Sequence, residues 1–293
     1  MVNKRIFITG LDSFTGVHLL SRLESRGYEV FGISRAISKP NIFKCDITNK
    51  SELSSALELI KPSYILHLAA ISSPAHPNKL DFFLVNTLGT LNLLECILEL
   101  NFEPTKVIIT SSASVYGDIN ESVLDESHTC MPSNDYGISK YLMEELVSNY
   151  FSKINIIITR PFNYTGIGQS LNFLIPKIVS HFKEKKKHIK LGNIEVSREY
   201  NDILFVCEAY ERLLFSEING EIVNIASGRG FFVKDIIALM SEISGHKIQV
   251  EIDKSLIREN EIWKLVGSPK KLFSLVGEIP QRDIRAILLS LFS

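Results

Sequence analysis

The chain has 293 residues, 45% hydrophobic and 22% charged, which excludes a disordered polypeptide and provides for a large core with a second, smaller lobe. Lysine plus arginine (32) nearly cancels aspartate plus glutamate (33), leaving a formal charge of −1, so neither bulk nucleic-acid binding nor an electrostatic membrane anchor is expected. The four cysteines, Cys45, Cys96, Cys130 and Cys207, form no C-x-x-C pair, which argues against a zinc knuckle or redox dithiol and for reduced thiols in a cytoplasmic protein.

Residues 6–9 are a short apolar run ending at Gly10, the pattern of a fully buried strand. Residues 17–26 have helical periodicity, with Leu19, Leu20 and Leu23 on one face, and stop at Gly27. A strand over 29–33, a helix over 51–59 ended by Pro62, and a buried strand over 64–68 follow. A long amphipathic helix is expected over 81–100, a strand over 106–110, a helix over 135–150 and a strand over 154–159. No segment reads as apolar for long enough to span a bilayer, and the N-terminus enters a strand without an apolar signal region.

Strands alternate with helices, and most strands are continuously apolar. That pattern predicts an α/β fold: a doubly wound parallel Rossmann sheet covered on both faces. After Arg160 the elements shorten and loops rich in Gly, Asn and Ser take over, apart from a buried strand over 221–225 and helices over 231–243 and 282–291. Residues 1–160 are therefore read as a dinucleotide-binding domain. Residues 161–293 are read mostly as a substrate lobe of mixed structure, with strand 221–225 returning to the main sheet. The charge run 183–187 (KEKKK) is a solvated helix end or loop, or else a rim that attracts a phosphorylated ligand.

Residues 9–16 read Thr-Gly-Leu-Asp-Ser-Phe-Thr-Gly at the first strand–helix junction. Glycines here permit a sharp turn and close helix packing, and the helix N-terminus then offers N–H groups to a pyrophosphate. Tyr136-Gly-Ile-Ser-Lys140 places a phenol and an ammonium one turn apart on one helix face. The ammonium eases ionisation of the phenol, so Tyr136 can exchange a proton with a carbinol oxygen. Upstream, Ser111-Ser-Ala-Ser-Val-Tyr-Gly117 follows a buried strand.

Taken in order, these motifs resemble the extended short-chain dehydrogenase/reductase family, also known as the NAD-dependent epimerase/dehydratase family, across essentially the whole chain. Gly10, Phe14 and Gly16 match its phosphate loop, with Thr15 inside it and Ser13 where the family has a middle glycine. The Ser13 Cβ narrows the backbone's approach to the phosphates, while its hydroxyl can donate to a phosphate oxygen. The second strand ends Ser34-Arg35, with no acid to take an adenosine ribose. The resemblance therefore implies NADP, with NAD left open and Arg35 alternatively a plain surface residue. Asp46 and Ile47 match the position near the adenine amino group, and Leu68, Ala69 and Ala70 match the strand end beside the cofactor.

The resemblance further assigns Ser112 to the substrate oxygen, with Ser111 and Ser114 as alternative strand-end hydroxyls, and gives Lys140 the nicotinamide ribose. Asn86 is expected to tie the long helix to the active-site strand. Arg160-Pro-Phe-Asn163-Tyr-Thr-Gly-Ile-Gly-Gln169 resembles a nucleotide-sugar segment in which Asn163 contacts the diphosphate, with Ile167 replacing a proline. Val196-Ser-Arg198-Glu-Tyr-Asn-Asp-Ile203 resembles a stretch of GDP-4-keto-6-deoxymannose reductases, in which Arg198 holds the nucleotide. A salt bridge of Arg198 to Glu199 or Asp202 is the alternative. Arg258 and Glu261 occupy further nucleotide positions by the same resemblance.

Ala113 and Ser114 stand where sugar dehydratases of the family carry an Asp-Glu pair, which argues against dehydration. The implied activity is NADPH-dependent reduction of the C4 ketone of a nucleotide-linked 4-keto-6-deoxyhexose, GDP-linked in preference to dTDP-linked. A nucleotide-sugar 4-epimerase with retained NAD and a non-catalytic dinucleotide sensor are the alternatives. No metal, nucleic acid or membrane partner is implied. A homodimer through helices 81–100 and 135–150 is, with Leu84, Leu88, Leu91 and Leu142 at the interface or in the core.

Overall fold

The computed structural model describes residues 5–72, 76–119, 121, 123–257 and 260–293. Its centre is a seven-stranded sheet built from β1 (Arg5–Thr9), β2 (Glu29–Ser34), β3 (Ile42–Lys44), β4 (Tyr64–His67), β5 (Lys106–Thr110), β6 (Ile156–Pro161) and β11 (Glu221–Ile225). The spatial order is β11-β6-β5-β4-β1-β2-β3, with every neighbouring pair parallel. The chain winds outward from β1 in both directions, so a crevice opens at the carboxyl ends of β1 and β4.

Alternation along each strand explains the two covered faces. Ile6 and Ile8 of β1 and Ile108 of β5 face one core with Leu19 and Leu23 of α1 (Phe14–Ser25) and Val206, Tyr210 and Leu214 of α6 (Ile203–Leu214). Phe7, Val107 and Ile109 face the other core with α2 (Lys50–Ile60), α3 (Lys79–Glu99) and α4 (Asp135–Ser148), through Leu57, Leu93, Ile97, Met143 and Val147. Burying such side chains contributes about 1.5–3 kcal/mol each, so this double layer dominates the stability.

A smaller core gathers α5 (Leu174–Lys183), α7 (Val233–Ser244) and α9 (Ile284–Phe292) against β8 (His188–Leu191), which pairs in parallel with β13 (Gln249–Ile252). Two further minor sheets lie within residues 161–293. In one, β7 (Tyr164–Thr165) pairs with β10 (Asn201–Asp202); in the other, β9 (Ser197–Arg198) lies between β12 (Phe231–Phe232) and β14 (Lys264–Leu265). The short helix α8 (Lys270–Val276) packs Leu272 into the first core.

Several sequence expectations are corrected. The first helix begins at Phe14, three residues before the expected 17, because the extended Ser13 caps it through a hydrogen bond from Gly16 N–H (3.1 Å). Helix α2 ends on Lys61 in the left-handed region (φ 44°), before Pro62 is reached. The three-residue strand β3 was not expected, and neither were α5 and α6. Helix α3 contains a π segment over Phe82–Leu88. The expectation that no segment could span a bilayer also fails by length and composition. Lys79–Glu99 is 21 residues long and its most apolar 18-residue stretch has mean hydropathy 1.3, but half of that stretch is buried inside the fold, as in the core helix of a globular protein.

Candidate active site

The phosphate loop turns at Gly10 (φ +68°), where a Cβ would come within 3.0 Å of Ala69 Cα. A Cβ on Gly16 would lie 2.6 Å from the carbonyls of Gly10 and Leu11. Gly10 is therefore demanded by the close approach of the β4 end, and Gly16 by the close approach of the helix start to the loop's own carbonyls. Ser13 needs no such freedom. Its φ of −70° is ordinary, so it replaces a glycine without backbone strain. Phe14 stacks on Tyr164 (6.1 Å between centroids), and Thr15 Oγ1 hydrogen-bonds the Tyr164 hydroxyl at 2.8 Å. Tyr164 thereby ties the phosphate loop to the second lobe, a link the motif reading missed although the residue follows Asn163 directly.

At the end of β2, the Ser34 hydroxyl accepts from the N–H groups of Ala36 (3.0 Å) and Ile37 (3.1 Å), shaping the turn that presents Arg35. Arg35 is exposed and makes no ion pair or hydrogen bond among the described residues. One Asp46 oxygen accepts from Thr48 N (2.9 Å) and Thr48 Oγ1 (2.7 Å), and Ile47 is buried against Gly89. Thr9 Oγ1 accepts from the N–H groups of Leu68 (3.1 Å) and Ala69 (3.0 Å), which fixes the Leu68-Ala69-Ala70 strand end.

A cleft of about 610 Å³ lies over these strand ends, within the range that takes a small-molecule ligand. It brings together Ser13, Phe14, Thr15, Leu68, Ala70, Ser112, Tyr136, Lys140, Asn163 and Arg198. Gly10, Gly16 and Ala69 form the turn beneath it. Ser34, Arg35, Asp46 and Ile47 lie outside its lining, along β2 and β3.

Tyr136 and Lys140 project from α4, whose N-terminus is capped by Asn134 accepting from Gly137 N–H (2.9 Å). Burial pushes the Tyr136 phenol up to about 12, partly offset by a hydrogen bond with Ser112. Burial lowers the Lys140 ammonium to about 8, opposed by the charge of Glu144. Lys140 Nζ donates to the Thr110 carbonyl at 2.7 Å, which leaves donors for a ligand. Ser112 Oγ accepts from Ser114 N–H (3.1 Å), so the Ser112 hydroxyl is fixed beside Tyr136.

Asn86 does not bond the active-site strand. Its side chain exchanges two hydrogen bonds with the backbone of Ile71 (2.8 and 3.2 Å) and donates to Ser139 Oγ (3.1 Å), tying the loop after β4 to α4. Behind α4, Glu144 and Arg160 form a fully buried ion pair (2.6 Å), and Arg160 also donates to Tyr116 (3.1 Å). Glu144 lies one turn beyond Lys140, a spacing that suggests a pair within the helix and conceals its pairing with Arg160 on β6.

On the second lobe, Asn163 is exposed in the cleft, and its carbonyl accepts from Asn201 N–H (3.0 Å). Arg198 pairs neither with Glu199 nor with Asp202. It lies 3.6 Å from Glu261 and donates to the carbonyls of Ser197 and Ile262. Glu199 instead accepts from the N–H groups of Ser227, Gly228 and Gly267, and Asp202 pairs with Arg282. Arg258 lies outside the described residues.

The residues fit a nicotinamide dinucleotide: a glycine turn against the β4 end, an open helix N-terminus, and a lysine with unused donors. This parallel fold and its Ser-Tyr-Lys cleft define an extended short-chain dehydrogenase/reductase. Residues 6–226 match the NAD dependent epimerase/dehydratase family, and the chain belongs to that family. It is 38% identical to the GDP-6-deoxy-D-talose 4-dehydrogenase of Aggregatibacter actinomycetemcomitans, over 97% of this chain and 95% of that protein. It is 28% identical to the GDP-6-deoxy-D-mannose reductase of Pseudomonas aeruginosa, over 100% of this chain and 97% of that one. The solved structure of RMD from Pseudomonas aeruginosa complexed with NADPH superposes with a TM-score of 0.86 at 26% identity, over 98% and 97% of the two chains.

Proposed function

We propose that this protein is an NADPH-dependent reductase acting at C4 of a nucleotide-linked 4-keto-6-deoxyhexose, with a GDP-linked sugar preferred. The observation that carries this reading is geometric: Ser112, Tyr136 and Lys140 converge on one cleft over the carboxyl ends of the strands, together with the phosphate loop and Asn163 of the second lobe. A phenol beside a serine hydroxyl at that point suits an acid that donates to a ketone oxygen. When bound, the dinucleotide supplies a hydride to the ketone carbon. Ser112 donates a hydrogen bond to the ketone oxygen and polarises it. Tyr136 transfers its proton to that oxygen as negative charge develops, and Lys140 stabilises the phenolate left behind. Solvent then reprotonates Tyr136.

The comparisons support chemistry at this carbon. Oxidation at C4 of a GDP-6-deoxytalose and reduction to a GDP-6-deoxymannose involve a ketone at the same position, approached from opposite faces. Ala113 and Ser114 offer no carboxylates for dehydration. Exposed Arg35 supports NADP by offering a cation to a 2′-phosphate. Asn163 is assigned to the sugar diphosphate, Arg198 to the nucleotide or its diphosphate, and Glu261 to the nucleotide part, within a substrate lobe drawn mostly from residues 161–293. Leu84, Leu88 and Leu142 are 47%, 47% and 43% exposed on α3 and α4, which supports a homodimer through those helices.

The test is consumption of NADPH with GDP-4-keto-6-deoxymannose and, separately, dTDP-4-keto-6-deoxyglucose. Turnover with the GDP sugar is expected. Turnover with the dTDP sugar alone would reassign the nucleotide. No turnover with either, together with interconversion of an unreduced nucleotide sugar, would make this protein a 4-epimerase.

A further inference from the structure

Among the described residues, three buried side-chain hydroxyls have no hydrogen-bond partner: Ser111, Ser133 and Tyr200. Leaving such a group unpaired costs about 1–3 kcal/mol. Tyr200 lines a separate hole of about 20 Å³, room for a single water. Ser133 lines neither that hole nor the cleft. Ser111 lines the cleft, with only 1% of its surface exposed.

The Ser111 backbone is already committed, since its N–H donates to the Thr159 carbonyl at 2.7 Å and continues the β5–β6 ladder. The next residue, Ser112, is extended (φ −161°, ψ 148°), so the two side chains leave on opposite sides of the chain. Ser112 takes the side that faces the Tyr136 phenol. The Ser111 hydroxyl is thus turned away from the position assigned to the ketone. The preceding residue, Thr110, receives the Lys140 ammonium on its carbonyl, which places Lys140 at the same strand end.

We propose that Ser111 is a cofactor-positioning residue, whose missing partner is a polar group on the nicotinamide riboside end of the dinucleotide, held together with Lys140. This rests on the dinucleotide-dependent reading above. Two adjacent serines then divide the labour, Ser112 serving the sugar and Ser111 the cofactor. The unpaired hydroxyl is a polarity mismatch that bound cofactor relieves.

Three binding and stability readouts test this on wild type, Ser111→Ala and Ser111→Cys. NADPH affinity is measured by fluorescence, GDP affinity by calorimetry, and ligand-free stability by thermal unfolding. Ser111→Ala is expected to weaken NADPH about tenfold, the size of one hydrogen bond, leave GDP unchanged, and hold or raise the ligand-free melting temperature. Ser111→Cys, nearly the same size but a weak donor, is expected to weaken NADPH similarly. A lowered melting temperature with unchanged NADPH affinity would make Ser111 purely structural and overturn the proposal. Weakened GDP with unchanged NADPH would overturn it in favour of a substrate contact. If wild type itself binds neither NADPH nor NADH, the dinucleotide reading fails first and the proposal with it.

Discussion

Tyr136 has a single replaceable atom at its working end. Tyr136→Phe removes the proposed proton donor and keeps the ring and its packing on Phe82. The expected result is a fall in kcat of roughly 10²–10⁴-fold with little change in NADPH affinity, measured by steady-state kinetics beside a binding titration. Loss of binding in parallel with turnover would instead mean that the phenol holds the cofactor. His67 carries a prediction of a different kind. Its two ring nitrogens lie 2.7 Å from Thr9 Oγ1 and 2.8 Å from Thr90 Oγ1, and burial drives its pKa down to about 3. The unfolded chain binds a proton near pH 6.5, whereas the folded chain does not until about 3. Between those values the unfolded state holds more protons, so stability rises with pH, and acidification from 6.5 towards 3 progressively removes it. Urea titrations across that window should show this slope, and His67→Gln should flatten it.

The Glu144–Arg160 pair joins α4 to β6 and so sets the depth at which Tyr136 and Lys140 enter the cleft. Glu144→Gln leaves a guanidinium buried without its counter-charge and is expected to destabilise by about 3–5 kcal/mol in chemical denaturation. Replacing both members with methionine should recover much of that loss. At this same scale the limits of the sequence become physical. Strands β1, β5 and β11 were legible because continuous apolar runs bounded by turn residues have few other readings. Helix α6 was not, because its first turns, Ile-Leu-Phe-Val-Cys, are apolar on every face and hide the stripe, although Leu204 is 52% exposed and Glu208, Glu211 and Arg212 face outward in ion pairs. The π segment in α3 was equally hidden, since one widened turn leaves the composition unchanged. Asn86, whose amide reaches both Ile71 and Ser139, sits within it. In the site, the pairing of Tyr136 with Lys140 on one helix face was legible from spacing, whereas Ser112 is singled out from Ser111 and Ser114 only through the family resemblance; the structure brings Ser112, Tyr136 and Lys140 to one cleft. The partners of Arg198 were not legible, since Glu261 is distant in the chain and the nearer Glu199 is consumed by backbone N–H groups.

At the scale of the molecule, the site is a seam. The phosphate loop, α4 and the second lobe meet over the sheet's carboxyl edge, bound by Tyr164 and Asn86. Helices α3 and α4 each carry catalytic or supporting residues inward and apolar residues outward. If the proposed dimer forms there, Leu88→Asp should convert a two-chain mass into a one-chain mass in light scattering. It should also lower thermal stability, because the burial lost supports α4 from behind. A one-chain mass for wild type at micromolar concentration would reject the dimer outright.

Ser13 has a consequence in time rather than in space. A helix N-terminus offers a limited set of unpaired N–H groups, and here the serine satisfies that of Gly16 before any ligand arrives. Departure of the phosphates therefore strips less from the loop than it would if a glycine stood at that position. On the proposed reductase reading, the barrier to release is expected to fall accordingly, with the dinucleotide exchanged at every cycle rather than retained. A reductase that must trade spent cofactor for fresh gains from a short residence time, and an epimerase that regenerates its own does not. Ser13→Gly should lengthen that residence, seen as a slower NADPH dissociation rate in stopped-flow displacement.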